Sequence, residues 1–289
     1  MEHKELLKRL EKAVEKRCED EVGIVFSGGV DSTLVATLAA KHADVVAYAV
    51  GSKESKDLET IRQSNLHFDI KFIHIDEKDI KKNVDKVLKV LGLHNPVRVG
   101  ATFVPYLVSK VAAKDGVKVM LPGQGADEEF GGYWRYMPVL RDEGYKGLGE
   151  LLEKDTEELA EELIKGDLGA CEVNGVELRT PFLDRDFISY ALTIDSKEKI
   201  KKVKKGTEGA DEFEGASYIR KYILKKAAEA AGVPSDIVWR AKKAAQYGSG
   251  VHKLMEKVAK AEGYMEKAKA AGHRGALSLY LEDRFKKLK

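Results

Sequence analysis

The sequence predicts an α/β protein in which a doubly wound parallel sheet is followed by a mainly helical C-terminal part. Two observations lead to this class. Short, nearly continuous apolar runs alternate with segments of helical periodicity as far as residue 121, which is typical of a parallel sheet covered on both faces. From Arg135 onward, strand-like runs nearly disappear. We therefore expect residues 1–136 to form the α/β part and residues 137–289 a helical part that completes the same domain.

The individual elements follow from the spacing of apolar residues along the chain. Helical spacing predicts helices over residues 4–20, 30–42, 58–66, 80–91 and 102–114. Apolar runs predict strands over residues 22–26, 45–50, 70–75 and 117–121. The stretch 197–215 is poor in hydrophobic residues and interrupted by glycines, so we expect a mobile loop there.

The composition excludes several classes of protein. With 43% hydrophobic residues the chain can bury a substantial core, so it is not a disordered polyampholyte. Two cysteines, Cys18 and Cys171, are too few for a disulfide framework. No apolar run approaches the roughly 18–20 residues that a membrane span needs, and the N-terminus lacks the apolar region of a signal peptide. These features predict a cytoplasmic protein without a membrane partner.

The formal net charge of +2 hides an uneven distribution along the chain. Residues 197–289 carry 23 basic and 12 acidic side chains, whereas residues 1–196 carry 27 basic and 36 acidic ones. A basic C-terminal third is able to bind polyphosphate, an anionic substrate or RNA. The alternative is a set of amphipathic helices with solvated lysine faces. Charge alone leaves both interpretations open.

A glycine-rich motif follows the first predicted strand and precedes a helix: Ser27-Gly28-Gly29-Val30-Asp31-Ser32-Thr33. Such a strand–turn–helix junction is where an open α/β sheet presents its ligand crevice. The glycines permit close backbone approach, so that N–H groups and hydroxyls can converge on a phosphate. A carboxylate at Asp31 would repel phosphate unless it holds a divalent cation that bridges to the phosphate oxygens. The alternative is a tight turn whose polar residues only cap the helix.

The motif is neither a Walker P-loop nor a dinucleotide fingerprint. It resembles the pyrophosphate-binding loop of the ATP pyrophosphatase (PP-loop, HUP-like) superfamily, which includes the asparagine, GMP, NAD and argininosuccinate synthetases and several tRNA-modifying enzymes. The resemblance implies that residues 27–33 bind ATP, that ATP is cleaved between the α and β phosphates, and that a substrate is activated as its adenylate.

A second motif, at residues 121–133 (LPGQGADEEFGGY), narrows the resemblance to the asparagine synthetases. Gly123 allows the backbone to pass against a bound nucleotide. Asp127 then offers a second carboxylate, so that Asp31 and Asp127 together are expected to bind Mg²⁺. The alternative for Asp127 is a helix N-cap.

Further segments extend the resemblance over residues 4–256. The end of the second strand, Ala49-Val50-Gly51, resembles the family's adenine-contacting segment and implies that Val50 contacts the base. Residues 175–184 resemble a scaffold segment of the family. Residues 218–227 and 239–251 resemble its lysine-bearing helix and loop, which implies phosphate-contacting or catalytic roles for Lys221 and for Lys242 or Lys243.

Three departures from the asparagine synthetase pattern concern the attacking amine and the substrate. Gln124 stands where the family has a glutamate that helps remove a proton from the amine, and an amide cannot accept that proton. Pro122 replaces a serine. Residues 167–174 lack the expected Arg-x-x-Lys segment, so a cation that recognises the substrate carboxylate must come from elsewhere. A glutaminase half is not evident either, so ammonia would come from solution or from a separate glutaminase subunit.

The leading hypothesis is therefore an asparagine synthetase-like ligase that uses ATP and Mg²⁺ to join a carboxylate to ammonia or another amine. Its residues would be Lys242, Lys243, Lys221 and Gln124 for catalysis, with residues 27–33, Val50 and Gly123 for ATP. One alternative is a PP-loop enzyme that modifies tRNA, favoured by the basic C-terminal third. Another is a catalytically silent nucleotide-binding protein. A homodimer is compatible with each of them.

Overall fold

A computed structural model describes residues 2–240, 248–272 and 275–289 of the chain. Its centre is a parallel sheet of five strands in the order β3-β2-β1-β4-β5. These strands are β1 (Glu21–Val25), β2 (Asp44–Ser52), β3 (Asp69–Ile75), β4 (Val119–Pro122) and β5 (Glu177–Leu178). The four strands expected from the sequence lie within two residues of their predicted ends, and the predicted α/β class is confirmed.

Fifteen helices in the described ranges surround this sheet and extend beyond it. They are α1 (Glu2–Glu15), α2 (Val30–Ala39), α3 (Lys56–Gln63), α4 (Glu77–Leu91), α5 (Pro96–Ala112), α6 (Ala126–Phe130), α7 (Tyr136–Glu158), α8 (Lys165–Glu172), α9 (Arg185–Thr193), α10 (Ser196–Lys199), α11 (Tyr222–Ala230), α12 (Ser235–Val238), α13 (Val251–Ala261), α14 (Tyr264–Ala270) and α15 (Ala276–Lys286). A π-helical turn, Leu159–Leu163, joins α7 to α8. Within the described residues, none of the helices combines the length and the apolarity that crossing a bilayer requires.

Alternate residues of the strands pack into two separate cores, one on each face of the sheet. Ile24 and Leu121 belong to the core that α1, α2 and α11 cover, whereas Tyr48 and Met120 belong to the core that α4, α5 and α13 cover. Burial on both faces explains the nearly continuous apolar strands. The division of the chain near residue 136 stays a prediction, and β5, from beyond that point, pairs with β4.

The expectation of a mobile loop over residues 197–215 is wrong. This region forms α10 and two strands of an antiparallel sheet, β6 (Ile200–Val203) and β7 (Asp211–Phe213), which both pair with β8 (Ala216–Arg220). The burial of β8 alternates along the strand, as in a sheet with one face in solvent. Because such strands need few apolar residues, the lysine- and glutamate-rich sequence concealed them.

The order of the strands fixes where a ligand can bind. The chain runs outward from β1 in one direction to β2 and β3, and β4 lies on the other side of β1. In open α/β sheets, ligands bind beyond the carboxyl ends of the strands at the point where the order reverses. Residues 27–33 follow β1 and residues 123–133 follow β4, so both glycine-rich motifs lie at this point.

Candidate active site

Residues 27–33 form a tight connection between β1 and α2. Gly28 has a φ of +66°, and a Cβ atom there would come within 2.4 Å of Ile61 Cγ1, so this position requires glycine. Gly29 is the N-cap of α2 and leaves the helix without a side-chain cap. The hydroxyl of Thr33 donates to the carbonyl oxygen of Gly29 at 2.8 Å. The first turn of α2 therefore offers its N–H groups to a ligand in the way that suits an anion.

Gly123 brings the loop after β4 against this connection. A Cβ atom at Gly123 would lie 2.7 Å from the backbone nitrogen of Ser32 and 2.9 Å from Asp31 Cβ. Only a residue without a side chain allows the two loops to approach so closely. The contact places Asp127, at the start of α6, on the same side of the sheet as Asp31.

Lys221 joins the two predicted metal-binding carboxylates. Its Nζ lies 2.6 Å from Asp31 Oδ2 and 2.7 Å from Asp127 Oδ1, and its side chain is only 4% exposed. Burial alone would lower the pKa of Lys221, but the carboxylates of Asp127 and Asp31 outweigh it, so the pKa is raised above its usual range. Lys221 is therefore a buried, fully charged ammonium between two carboxylates.

The backbone around Lys221 holds it in this place. Lys221 is the residue between β8 and α11 and adopts a left-handed conformation with a φ of 56°, which is uncommon for a residue other than glycine. Its N–H donates to the carbonyl oxygen of Phe130, at the end of α6, at 3.2 Å. The antiparallel sheet thus places Lys221 beside α6, the helix that carries Asp127.

The two carboxylates fit the predicted divalent cation. Asp31 Oδ1 is buried and has no hydrogen-bond partner among the described residues, so this oxygen is available to a ligand. Among the residues that the structure describes, no cluster of three or more His, Cys, Asp or Glu side chains has the arrangement of a metal site. Mg²⁺ commonly binds one or two carboxylates and completes its shell with water and substrate phosphates. Asp31 and Asp127 therefore suit Mg²⁺ bound together with a nucleotide.

A cavity of about 1040 Å³ opens beside this cluster. Most of the site residues expected from the sequence line it, namely Ser27, Gly29, Val30, Asp31, Ser32, Gly123, Gln124, Asp127 and Lys221. Thr33 is fully buried, and Val50, only 5% exposed, lies in the core beneath α5 and α13. The contact of Val50 with adenine stays a prediction. Lys242 and Lys243 lie outside the described residues.

The cavity also contains basic residues that the sequence analysis did not select. Lys225, Arg220 and Arg240 line it, and Arg240 donates a hydrogen bond to the carbonyl oxygen of Gly28. Burial lowers the pKa of Lys225 to about 8. The sequence contained one indication of Lys225, because this residue follows Lys221 by four positions, about one turn of a helix.

A second polar group lies in the same cavity, between α5 and α8. The hydroxyl of Thr102 donates to Asp167 Oδ1 at 2.9 Å, and the side-chain amide of Gln124 lies beside the Asp167 carboxylate. Asp167 is 7% exposed. Arg98, near the start of α5, lines the cavity as well and is a cation of the kind missing from residues 167–174. Apolar spacing predicted that this helix begins at residue 102, whereas α5 begins at Pro96, so Arg98 was not among the predicted site residues.

Comparison with known proteins identifies the family. The model of the asparagine synthase family matches residues 5–173 and 141–274. The chain belongs to the asparagine synthase family. This confirms the resemblance inferred from the two glycine-rich motifs.

Relatives within the family agree with this assignment. An asparagine synthetase homologue from Methanocaldococcus jannaschii is 36% identical over 288 residues, covering 92% of this chain and 53% of the relative. The glutamine-hydrolysing asparagine synthetase 1 of Saccharomyces cerevisiae is 27% identical, covering 84% of this chain and 47% of the relative. The chain thus spans about half the length of these relatives. The NMN synthetase of Francisella tularensis has a TM-score of 0.41 at 14% identity and covers 99% of this chain, a likeness too low to inform function.

Proposed function

We propose that this chain is an ATP-dependent ligase that forms AMP and pyrophosphate while joining a carboxylate to ammonia or another amine, in asparagine biosynthesis or a closely related reaction. One observation carries the proposal: Asp31, Asp127 and Lys221 meet in a cavity that the pyrophosphate-loop motif also lines. Membership of the asparagine synthase family and relatives named as asparagine synthetases support it.

Three groups of residues and ions contribute to the proposed binding of ATP. The first turn of α2 and the side chains of Ser27 and Ser32 line the cavity, where their N–H and O–H donors would stabilise the negative charge of the phosphates. Lys221, directly before α11, and Lys225, on α11, add positive charge. Mg²⁺, when held by Asp31 and Asp127, neutralises phosphate charge.

The reaction then follows from the charges in the cavity. An oxygen of the substrate carboxylate attacks the α-phosphorus of ATP in line with the departing pyrophosphate, whose charge residues 27–33 and Lys221 stabilise. The amine next attacks the acyl carbon of the adenylate, and AMP leaves. Lys242 and Lys243 remain the predicted sources of further positive charge. The ammonia would come from solution or from a separate glutaminase subunit.

The test is an ATP–pyrophosphate exchange assay with L-aspartate, L-glutamate and a set of apolar carboxylates. We expect exchange with at least one of them, dependent on Mg²⁺, and a loss of roughly 10²–10³-fold in Asp31→Ala because that variant loses a carboxylate that would hold the Mg²⁺ ion. Asp186→Ala, an exposed aspartate at 80% side-chain exposure, is the matched control and should retain full activity.

Two outcomes would contradict the proposal. Exchange that survives in Asp31→Ala would remove the role of Asp31. No exchange with any carboxylate would favour the silent nucleotide-binding alternative, and tight, salt-sensitive binding of tRNA in that case would favour a tRNA-modifying enzyme.

A further inference from the structure

Asp167 is a buried carboxylate in the cavity that the proposed ATP chemistry leaves unused. It lies on α8, whereas the phosphate-binding residues lie after β1 and β4. Its neighbour Gln124 directly follows Gly123, which contacts the backbone of Ser32. Asp167 is therefore linked through one side chain to the loop that packs against the pyrophosphate-binding connection.

The partners of Asp167 differ from those of Asp31, Asp127 and Asp211, which also line the cavity. Asp31 and Asp127 contact the ammonium of Lys221, and Asp211 accepts a hydrogen bond from Arg220 at 2.7 Å. Asp167 instead accepts a hydrogen bond from the hydroxyl of Thr102 and lies beside the amide of Gln124, and both of these groups are neutral. A carboxylate held in this way keeps the capacity to bind a cation or to take up a proton.

The charged and titratable groups around Asp167 are few. Arg98 on α5 acts on it electrostatically and is itself anchored by a hydrogen bond to the carbonyl oxygen of Leu163 at 2.8 Å. Cys171 lies one turn further along α8 and is fully buried. Burial raises the pKa of Asp167, and the hydrogen bonds from Thr102 and Gln124 and the charge of Arg98 only partly oppose it.

We infer that Asp167, Thr102 and Gln124 form the binding site for the attacking amine as its ammonium ion, and that Asp167 accepts the proton which the amine must lose. This inference rests on the proposed function. Gln124 reaches the same place but has no group that accepts a proton at neutral pH. Asp167 supplies the negative charge that attracts the ammonium and the base that converts it into a nucleophile.

The step balances in protons and bonds. The Asp167 carboxylate takes one proton from NH₄⁺, giving the carboxylic acid and NH₃. The nitrogen lone pair forms the C–N bond at the acyl carbon of the adenylate. The bond from that carbon to the phosphate oxygen breaks, and AMP leaves with its electron pair. The nitrogen then loses a second proton to water, giving the neutral amide, and Asp167 returns its proton to solvent.

The decisive variant is Asp167→Asn, which retains the shape but removes the charge and the base. With ammonium chloride, we expect the rate of amide formation relative to ATP–pyrophosphate exchange to fall about 10²-fold or more. With hydroxylamine, a nucleophile that is uncharged at neutral pH and needs neither the charge nor the base, the same ratio should fall by much less, about threefold at most. Glu172→Gln, an exposed acidic residue on the same helix, is the matched control and should change neither ratio.

Two further variants separate a base from a structural residue. Thr102→Val removes a donor that lowers the pKa of Asp167, so the acid limb of the pH profile of kcat/KM for ammonium should move to higher pH. Asp167→Asn/Gln124→Glu returns a carboxylate to the adjacent position and should recover at least tenfold of the lost ammonium-dependent rate.

The outcomes are distinguishable. If Asp167→Asn uses ammonium as well as the unmodified protein does, or loses ammonium and hydroxylamine equally, Asp167 is not the base. If Asp167→Asn does not fold, an unmoved pH profile in Thr102→Val overturns the inference. If no carboxylate supports exchange in the unmodified protein, the proposed function fails, and this inference fails with it.

Discussion

The cavity contains two acidic centres whose partner groups differ in charge. In the first, Asp31 and Asp127 share the buried ammonium of Lys221. In the second, Asp167 is held by neutral donors, and burial raises its pKa. A paired carboxylate remains charged and is able to hold cations, whereas one held by neutral donors is poised to exchange a proton. Because the carboxylates have different neighbouring groups, one cavity can support both phosphate chemistry and proton transfer.

The largest effect is expected from Lys221→Met, which breaks the first centre. The variant leaves two largely buried carboxylates, 17% and 18% exposed, without their cation, and the loss of one partner from a buried pair typically costs about 3–5 kcal/mol of unfolding free energy. The raised pKa of Lys221 means that its stabilising charge is present below the usual lysine pKa of 10.5 and is lost only as pH rises through the higher folded value, so the full loss should appear at pH 7. Thermal unfolding at pH 7 measures this loss of stability.

The addition of Mg²⁺ extends this test to the proposed metal site. Because a divalent cation can replace the missing ammonium between Asp31 and Asp127, millimolar MgCl₂ should raise the melting temperature of Lys221→Met more than that of the unmodified protein. Equal effects of MgCl₂ on both proteins would argue against the metal site. Lys253→Met, which breaks an exposed ion pair with Glu54, should leave the melting temperature nearly unchanged and serves as the control.

An intermediate effect is expected from pH acting on Lys225, beside the first centre. Burial lowers the pKa of this lysine to about 8, so its charge disappears between pH 7 and pH 9. If that charge contacts ATP, kcat/KM for ATP in the exchange assay should fall about tenfold over this interval. In Lys225→Arg, which stays charged, the fall should be absent. A fall of the same size in both proteins would assign it to another group.

The smallest effect is a gain in stability when the second centre loses its charge. Because burial raises the folded pKa of Asp167, its ionised form disfavours folding at neutral pH, and this penalty vanishes as pH falls toward the usual aspartate range. Asp167→Asn should therefore be stabilised by on the order of 1 kcal/mol at pH 7, or about 2–4 °C in melting temperature. The gain should shrink as pH falls toward 4 and be absent below it. A lower melting temperature at pH 7 would contradict the assigned penalty.

The sequence predicted the first centre far better than the second. Residues 27–33 and Asp127 belong to short motifs whose glycines and carboxylates have a physical meaning in themselves. Asp167 has no such context. It is one aspartate among many on an amphipathic segment, and its importance depends on the packing of α8 against α5, which periodicity does not reveal.

The fold was predicted equally unevenly. Fully buried parallel strands are apolar throughout and stand out, so β1 to β4 were found. β6 and β7 expose one face, and their lysines and glutamates resembled a loop. The start of α5 was missed although Asn95 and Pro96 mark it, because the N-cap hydrogen bonds from Val97 and Arg98 outweigh the weak apolar periodicity of its first turn.

The ion pair between Lys221 and Asp31 joins residues 190 positions apart in the chain. During synthesis, the sheet strands β1 to β4 and both carboxylates leave the ribosome long before the lysine that neutralises them. Contacts of such large sequence separation form late, because a long stretch of chain must be ordered first. Until Lys221 is synthesised, Asp31 and Asp127 lack the ammonium that pairs with them in the folded protein, and cellular Mg²⁺ is a cation that could take its place.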